Sequence, residues 1–260
     1  MENTIKISVK DLKYSAGSHK ILNGVTLNVP KGRMIGIIGP NGSGKTTTLK
    51  HIYRAIDPRE GAVFLNGKDV HAYTYRESAR EMTVMKQEHN TDFSYSIYEM
   101  VMMGRTPYRK MFEADTRDDR EIVLKSLNYV GMGDMLERPY AELSGGEKQR
   151  VMIARSIAQD TEVFILDEPT NHLDVHYQWA IMELIKNIGK TVISVFHELN
   201  LASNYCDEIY VVDKGCIVSH GAPSEIITKK LLADVFKIDA DIIKTKDGAT
   251  HILYNKAIMA

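Results

Sequence analysis

An apolar run, Met34-Ile35-Gly36-Ile37-Ile38, passes directly into Gly39-Pro40-Asn41-Gly42-Ser43-Gly44-Lys45-Thr46 and then Thr47-Thr48-Leu49-Lys50. This is G-x-x-x-x-G-K-[ST] between a predicted strand and a predicted helix, the setting in which the pattern works as a phosphate-binding loop. Glycines without a Cβ let backbone N–H groups turn inward around phosphate oxygens. The helix that starts near Gly44 aims its positive dipole end at the same oxygens. Lys45 is expected to bridge the β- and γ-phosphates and Thr46 to ligate Mg²⁺, with residues 39–47 as the cradle. A glycine-rich turn carrying a solvated lysine would not need these flanks. The loop alone specifies a nucleotide and does not separate a kinase, a GTPase and a motor.

A second chemical element lies downstream, where Val163-Phe164-Ile165-Leu166 ends in Asp167-Glu168-Pro169. A buried strand delivers its last residue to the carboxyl edge of an open α/β sheet, where ligands bind. Asp167 is expected to hold Mg²⁺, and Glu168 to polarise an attacking water as general base. Pro169 stops the strand. Taken alone, an apolar strand ending in acids is an ordinary loop start; the phosphate loop upstream gives it a role.

These residues need a scaffold, and the chain can build one. Its 260 residues match the ~250 that one α/β domain reaches before splitting. An apolar fraction of 43% supports a full core, and 26% charged residues suit a solvated surface. The formal net charge of −1 provides no positive field for nucleic acid or anionic lipid. Acidic and basic residues interleave, as in Arg117-Asp118-Asp119-Arg120-Glu121, which reads as a solvated helix face. No apolar run approaches the ~18 residues of a membrane span. The first six residues lack the apolar stretch of a secretory signal. Cys206 and Cys216 match no metal or redox motif and suit a reducing compartment. The expectation is a cytosolic protein.

Strand-like segments rich in Ile and Val alternate with helical ones, implying a βα-wound core. Residues 5–9, 25–29, 34–38 and 62–65 suit a small antiparallel sheet beside the nucleotide-binding strand. A polar helical section, roughly 87–160, interrupts the rhythm and reads as an inserted subdomain. Strands return at 163–166, 191–195 and 209–212. A short helix and a final hairpin around Lys246-Asp247-Gly248 follow Pro223.

Leu143-Ser144-Gly145-Gly146-Glu147-Lys148-Gln149-Arg150 precedes a predicted helix shortly before the Asp167 strand. Ser144 and the two glycines form a second helix amino terminus able to receive an anion. On its own the stretch would be an ordinary serine N-cap with a glycine turn. In the company of the other motifs it resembles the ABC ATPase family, whose signature is LSGGQ; Glu147 stands in place of the usual Gln. The resemblance covers the chain from about residue 10 to the final hairpin.

The resemblance implies an α/β fold: a P-loop NTPase with a RecA-like core, an antiparallel β subdomain and an inserted α-helical subdomain. It divides the single domain into a core (1–86 and 161–222), a helical lobe (87–160) and an extension (223–260). In this family the signature of one subunit closes over ATP held by the phosphate loop of another. The implied assembly is therefore a head-to-tail dimer, expected to be of identical chains, with ATP and Mg²⁺ at its interface. Asn171-His172-Leu173-Asp174 matches the D-loop, with Asp174 at that interface. His197, after Thr191–Val195 and Phe196, matches the switch histidine that contacts the γ-phosphate. Gln87 matches the Q-loop glutamine, which links the Mg²⁺ and water site to the membrane subunit. Tyr14 matches the aromatic that stacks on adenine. Standing alone, Tyr14 or Gln87 would be read as structural. His172 and His176 have the i, i+4 spacing of helical zinc ligands, but His172 belongs to the D-loop and no third ligand is evident.

Met100-Val101-Met102-Met103-Gly104-Arg105-Thr106-Pro107-Tyr108 resembles the GRxP segment of importer ATPases for iron–siderophore, haem and cobalamin, as does His197-Glu198-Leu199-Asn200-Leu201-Ala202. The tail Leu231-Leu232-Ala233-Asp234-Val235-Phe236 continues the likeness, while Tyr108 departs from the His often found there. The methionines have two readings, as core of the helical lobe or as lining of a groove for a membrane-subunit helix. The resemblance implies polytopic permease subunits, an extracytoplasmic binding protein acting indirectly, no nucleic acid, and a peripheral location on the cytoplasmic membrane face. An exporter ATPase with separate membrane subunits and a soluble ABC ATPase stay as alternatives. Tandem cassettes would mark a translation factor, and long heptad insertions a DNA-repair ATPase. Neither is present in this sequence.

Overall fold

Alternating buried and exposed side chains define β1 (Ile5–Ala16) and β2 (His19–Pro30). The computed structural model describes residues 4–58, 60–86, 95–110, 113–245 and 248–259. Next come β3 (Met34–Ile38), buried along its whole length, and α1 (Lys45–Ile52). After them stand β4 (Glu60–Leu65), β5 (Lys68–Asp69), α2 (Tyr75–Glu81) and β6 (Met82–Met85). The helical stretch holds α3 (Ile97–Met102), a 3₁₀ segment (Met103–Tyr108), α4 (Arg117–Tyr129) and α5 (Gly145–Ala158). It leads to β7 (Val163–Asp167), α6 (Val175–Asn187), β8 (Thr191–Val195) and α7 (Leu199–Tyr205). The chain then forms β9 (Glu208–Asp213), β10 (Cys216–Gly221), a short helix (Pro223–Ile226), β11 (Ile238–Lys244) and β12 (Thr250–Ala257).

These elements form two compact units. The first is Met1–Ala72 together with Lys190–Ala260. It contains the expected antiparallel sheet, in the order β2-β1-β4-β5. A second layer runs β10-β9-β3-β8, with β3 parallel to both β9 and β8. β3 and β8 are buried at every residue, as suits parallel strands covered on both faces. Each fully buried Ile or Val there contributes about 1.5–3 kcal/mol. The expected final hairpin is β11 paired with β12; Lys246 and Asp247 of its turn lie outside the described residues.

The second unit, Tyr73–Gly189, contains the parallel pair β6 and β7 and helices α2 to α6. Four of those helices begin with a reciprocal capping box: Thr74 with Glu77, Ser96 with Glu99, Thr116 with Asp119 and Ser144 with Glu147. Each box satisfies two N–H groups that a helix start otherwise leaves unpaired. Met100 and Met102 are 3% and 6% exposed. They fill the core of this unit, and Met103 is half-buried. Of the two readings of the methionines, the core one holds for the first two.

β6 and β10 were not expected as strands. β6 is four residues joined directly to a helix, too short for an alternation to register. β10 ends in Ser219-His220-Gly221, which reads as turn chemistry but continues the ladder to β9. Among the described residues no helix is long and apolar enough to cross a membrane.

Candidate active site

The phosphate loop leaves the carboxyl end of β3 and closes at Gly44, the left-handed N-cap of α1 (φ 108°). Glycine is required at Gly39, because a Cβ there would stand 2.0 Å from the Val212 carbonyl oxygen. The turn between β9 and β10 braces the loop from outside: the Gly215 N–H donates to the Ser43 carbonyl at 2.9 Å. Lys45 is only 5% exposed. Its ammonium donates to the carbonyls of Gly39 at 2.8 Å and Pro40 at 2.9 Å. The side chain therefore folds back across the cradle formed by residues 39–44. Ser43 is 3% exposed, and its hydroxyl finds no hydrogen-bond partner among the described residues. A buried polar atom without a partner is costly, so a ligand oxygen there would stabilise the loop. Asn41 and Gly42 are exposed at the rim, and Thr46 and Thr47 are half-buried on the first turn of α1.

His197 belongs to the same unit. β3 and β8 are parallel neighbours with Ile37 opposite Val195, so the phosphate loop and the segment bearing His197 leave one edge together. The Phe196 N–H donates to the Ile37 carbonyl at 3.0 Å, extending the ladder one residue beyond β8. Phe196 is buried and His197 exposed. Tyr14, in β1, meets the ring of His51 edge-on, with centroids 5.0 Å apart. His51 is fully buried on α1; its Nδ1 lies 2.7 Å from the Thr47 carbonyl. Burial holds this imidazole below its ordinary range, against the opposing effects of that hydrogen bond and Asp57. It is thus a neutral support for Tyr14, and no motif in the sequence pointed to it.

The second unit carries the acids and the signature. Asp167 closes β7, and Glu168 follows with φ +56°, in the left-handed region that a non-glycine residue rarely adopts. The Glu168 carboxylate accepts from the Asn171 amide at 2.9 Å. His172 also has a positive φ of 61°. It lies outside α6, so His172 and His176 do not share a helix, and no metal-holding group of acids, histidines and cysteines occurs among the described residues. Asp174 is exposed and N-caps α6, accepting from the Tyr177 N–H at 3.0 Å. Gln149 on α5 donates to the Pro169 carbonyl, which ties the signature helix to the loop after Glu168. Gln87 lies outside the described residues.

Ser144 and Gly145 are exposed at the start of α5, while Gly146 is buried against Tyr177. A Cβ at Gly146 would sit 2.6 Å from that ring. The Ser144 N–H donates to Glu147 Oε2 at 2.8 Å, and the Glu147 N–H to the Ser144 hydroxyl at 3.4 Å. Arg138 donates to the other Glu147 oxygen at 3.2 Å. The hydrogen bonds from Ser144, followed by the charge of Arg138, hold the Glu147 carboxyl below its ordinary range despite some desolvation. Glu147 thus completes the serine N-cap while leaving an exposed helix terminus suited to an anion.

Residues 104–107 form a packing centre of the second unit. Arg105 is 7% exposed and Asp119 5%, so Asp119 does not belong to the solvated helix face expected of residues 117–121, whose other members are exposed. Arg105 donates to Asp119 at 2.8 Å and to the Ala158 carbonyl at the end of α5 at 2.8 Å. Tyr108 closes the 3₁₀ segment. Its ring receives the Arg105 guanidinium at 4.2 Å and that of Arg80 at 5.2 Å from its centroid. A Cβ at Gly104 would come within 2.4 Å of the Arg155 carbonyl, so α5 crosses at backbone contact.

The ABC transporter family model matches residues 22–171. The chain is 36% identical to the iron(3+)-hydroxamate import ATP-binding protein FhuC of Bacillus subtilis (strain 168), over 91% of this chain and 90% of that one. It is 37% identical to the achromobactin transport ATP-binding protein CbrD of Dickeya dadantii (strain 3937), with the same coverage. Among solved structures, the ADP conformation of MJ1267, an ATP-binding cassette of an ABC transporter, superposes with a TM-score of 0.79 at 26% identity, covering 88% of this chain and 95% of that one. The expected P-loop NTPase fold, with its antiparallel sheet and helical part, is the fold observed. The chain belongs to the ABC transporter family, as an ATP-binding ATPase domain of the kind that hydrolyses ATP to power transport.

Proposed function

We propose that this chain powers an importer of an iron chelate, haem or cobalamin-type ligand from the cytoplasmic face of a membrane, as one of two identical ATPase subunits held by polytopic permease subunits. The observation that carries the two-copy reading is the exposed Ser144–Gly145 terminus of α5. It is a second anion-receiving helix start in a chain that already has a phosphate loop. The importer reading rests on relatives named for import of iron(3+) hydroxamate and transport of achromobactin. The proposed lobes are the core (1–86 and 161–222), the helical lobe (87–160) and the extension (223–260).

On this reading ATP lies between residues 39–47 of one copy and residues 144–147 of the other, with Tyr14 against adenine and Asp174 at the interface. Lys45 exchanges its contacts with the Gly39 and Pro40 carbonyls for the β- and γ-phosphate oxygens. Thr46, Asp167 and Gln87 offer hydroxyl, carboxylate and amide oxygens, the hard donors that suit Mg²⁺. Bound there, the ion neutralises charge on the phosphates. Glu168 takes a proton from water as the water oxygen bonds to the γ-phosphorus, and the bond to the β,γ-bridging oxygen breaks to leave ADP. His197 donates to the γ-phosphate oxygens as charge develops. Closure and reopening of the dimer are transmitted to the permease through the region of Gln87.

Affinity purification of the chain from solubilised membranes of its source organism tests the assignment. A co-purifying polytopic membrane protein is expected, along with ATP-dependent uptake of a labelled ferric chelate that the Glu168→Gln variant abolishes. Recovery with ribosomes or DNA would overturn the assignment. Export in place of uptake would favour the separate-subunit exporter.

A further inference from the structure

The segment bearing His197 is fixed on one side by Phe196 and β3. On its other side is α7, which at seven residues is far below the ~12–15 at which a helix begins to persist without tertiary support. That support comes from the carboxy-terminal hairpin. Asn200 donates from its side-chain amide to the Ile252 carbonyl at 3.2 Å and accepts the Ile252 N–H at 2.8 Å. One side chain thus pairs with β12 as a neighbouring strand would. One turn further along α7, Ser203 donates to the Thr250 carbonyl at 2.6 Å. At the start of α7, Glu198 Oε1 accepts the Asn200 N–H at 3.1 Å as N-cap. It also accepts the Tyr254 hydroxyl at 3.2 Å. Thr250, Ile252 and Tyr254 are alternate residues of β12, and Glu198, Asn200 and Ser203 cover nearly two turns of the α7 start. The hairpin is therefore docked in a single register, because a one-residue slip would remove every one of these contacts.

We infer that the β11–β12 hairpin positions His197 for reaction, acting through the pairing of Asn200 with Ile252 and of Glu198 with Tyr254. Glu198 follows His197 directly, so the carboxylate that Tyr254 holds fixes the peptide joining the histidine to α7. The same contacts give the Asn of the His-Glu-Leu-Asn segment a physical task, reading the backbone of β12. Asn200, Glu198 and Tyr254 are positioning residues here, and the inference rests on the reading of His197 as the γ-phosphate contact.

A double-mutant cycle on the full-length protein tests it, using steady-state and single-turnover ATP hydrolysis. Tyr254→Phe removes one hydroxyl from a half-exposed ring and is expected to leave the melting temperature unchanged. It should lower kcat about 3- to 30-fold, as a small displacement of a reacting group does, with KM for ATP held within about twofold. Asn200→Ala should do the same with a larger drop. In the His197→Ala background, Tyr254→Phe should produce no further loss, because the histidine it positions is gone. Two results would overturn the inference while sparing the reading of His197: an unchanged kcat for Tyr254→Phe alongside an impaired His197→Ala, or losses that add in full. An unimpaired His197→Ala would remove both.

Discussion

Asn171 holds Glu168 in place twice over: its side-chain amide donates to the Glu168 carboxylate at 2.9 Å, and its N–H closes a turn on the Glu168 carbonyl at 3.2 Å. This turn supports the left-handed backbone of Glu168 (φ +56°), which costs about 1–2 kcal/mol for a residue with a Cβ. Glu168→Gln keeps the shape and an oxygen for Asn171 to bond, while removing the capacity to take a proton. It should lower kcat by about 10²–10⁴ and leave ATP binding intact, with an ATP-dependent dimer visible by size exclusion. Turnover near that of the parent protein would reject Glu168 as the base.

Arg105 and Asp119 form a nearly dry ion pair that links the 3₁₀ segment, α4 and, through the Ala158 carbonyl, the end of α5. Removing one partner leaves the other charge buried, so Asp119→Ala should cost about 3–5 kcal/mol in chemical denaturation. Desolvation pushes the Asp119 carboxyl up, but hydrogen bonds from Arg105 and Thr116, with the Arg105 charge, outweigh it and hold it below its ordinary range. A lowered folded pKa stabilises the fold above the unfolded value and loses that contribution as pH falls through the folded one. Stability should therefore decline below about pH 4, and Asp119→Asn should flatten that decline while being less stable at neutral pH.

Much of this was legible in the sequence wherever one physical signal sufficed. β3, β7 and β8 are continuous apolar runs, and Lys45, Asp167 and His197 stand at or just beyond their ends. Elements defined by pairing were not legible: β6 is four residues long, and β10 carries polar residues that make sense only beside β9. Residues whose work is to hold others escaped for the same reason. Nothing local in Asn200 shows that it meets Ile252, 52 positions away. His51 gives no hint that it supports Tyr14. Arg105 was visible as part of a pattern, but its buried partner could not be read from spacing alone.

Ser144 serves both as a helix cap and, on the proposed function, as a ligand for the nucleotide of the opposing copy. The two tasks separate experimentally. Ser144→Ala should cost about 1 kcal/mol of stability as a lost N-cap, while sharply reducing turnover and sparing the ATP affinity of an isolated chain. Glu147→Gln restores the residue more common in the family and keeps a side chain able to complete the capping box. It loses the charge that faces Arg138 at 3.2 Å, a part-exposed pair worth about 0–1 kcal/mol. Equal turnover in parent and Glu147→Gln proteins is expected, and a large loss would give Arg138 a part in the reaction.

Lys45 provides the sharpest test of the phosphate cradle, because its ammonium now spans the carbonyls of Gly39 and Pro40 at 2.8 and 2.9 Å. On the proposed function nucleotide binding draws it from those oxygens toward phosphate, so its charge matters chiefly when ATP arrives. Lys45→Met keeps most of the stem and removes the charge. For the parent protein, ATP at a hundred times Kd should add about 2.7 kcal/mol to stability, raising Tm by about 5–10 °C for a chain of this size. At the same ATP concentration Lys45→Met should show at most about half that shift, and isothermal titration should show affinity reduced at least tenfold, about 1.4 kcal/mol. A full ATP-dependent shift in the variant would mean that the backbone N–H groups and the α1 terminus carry phosphate binding without the lysine.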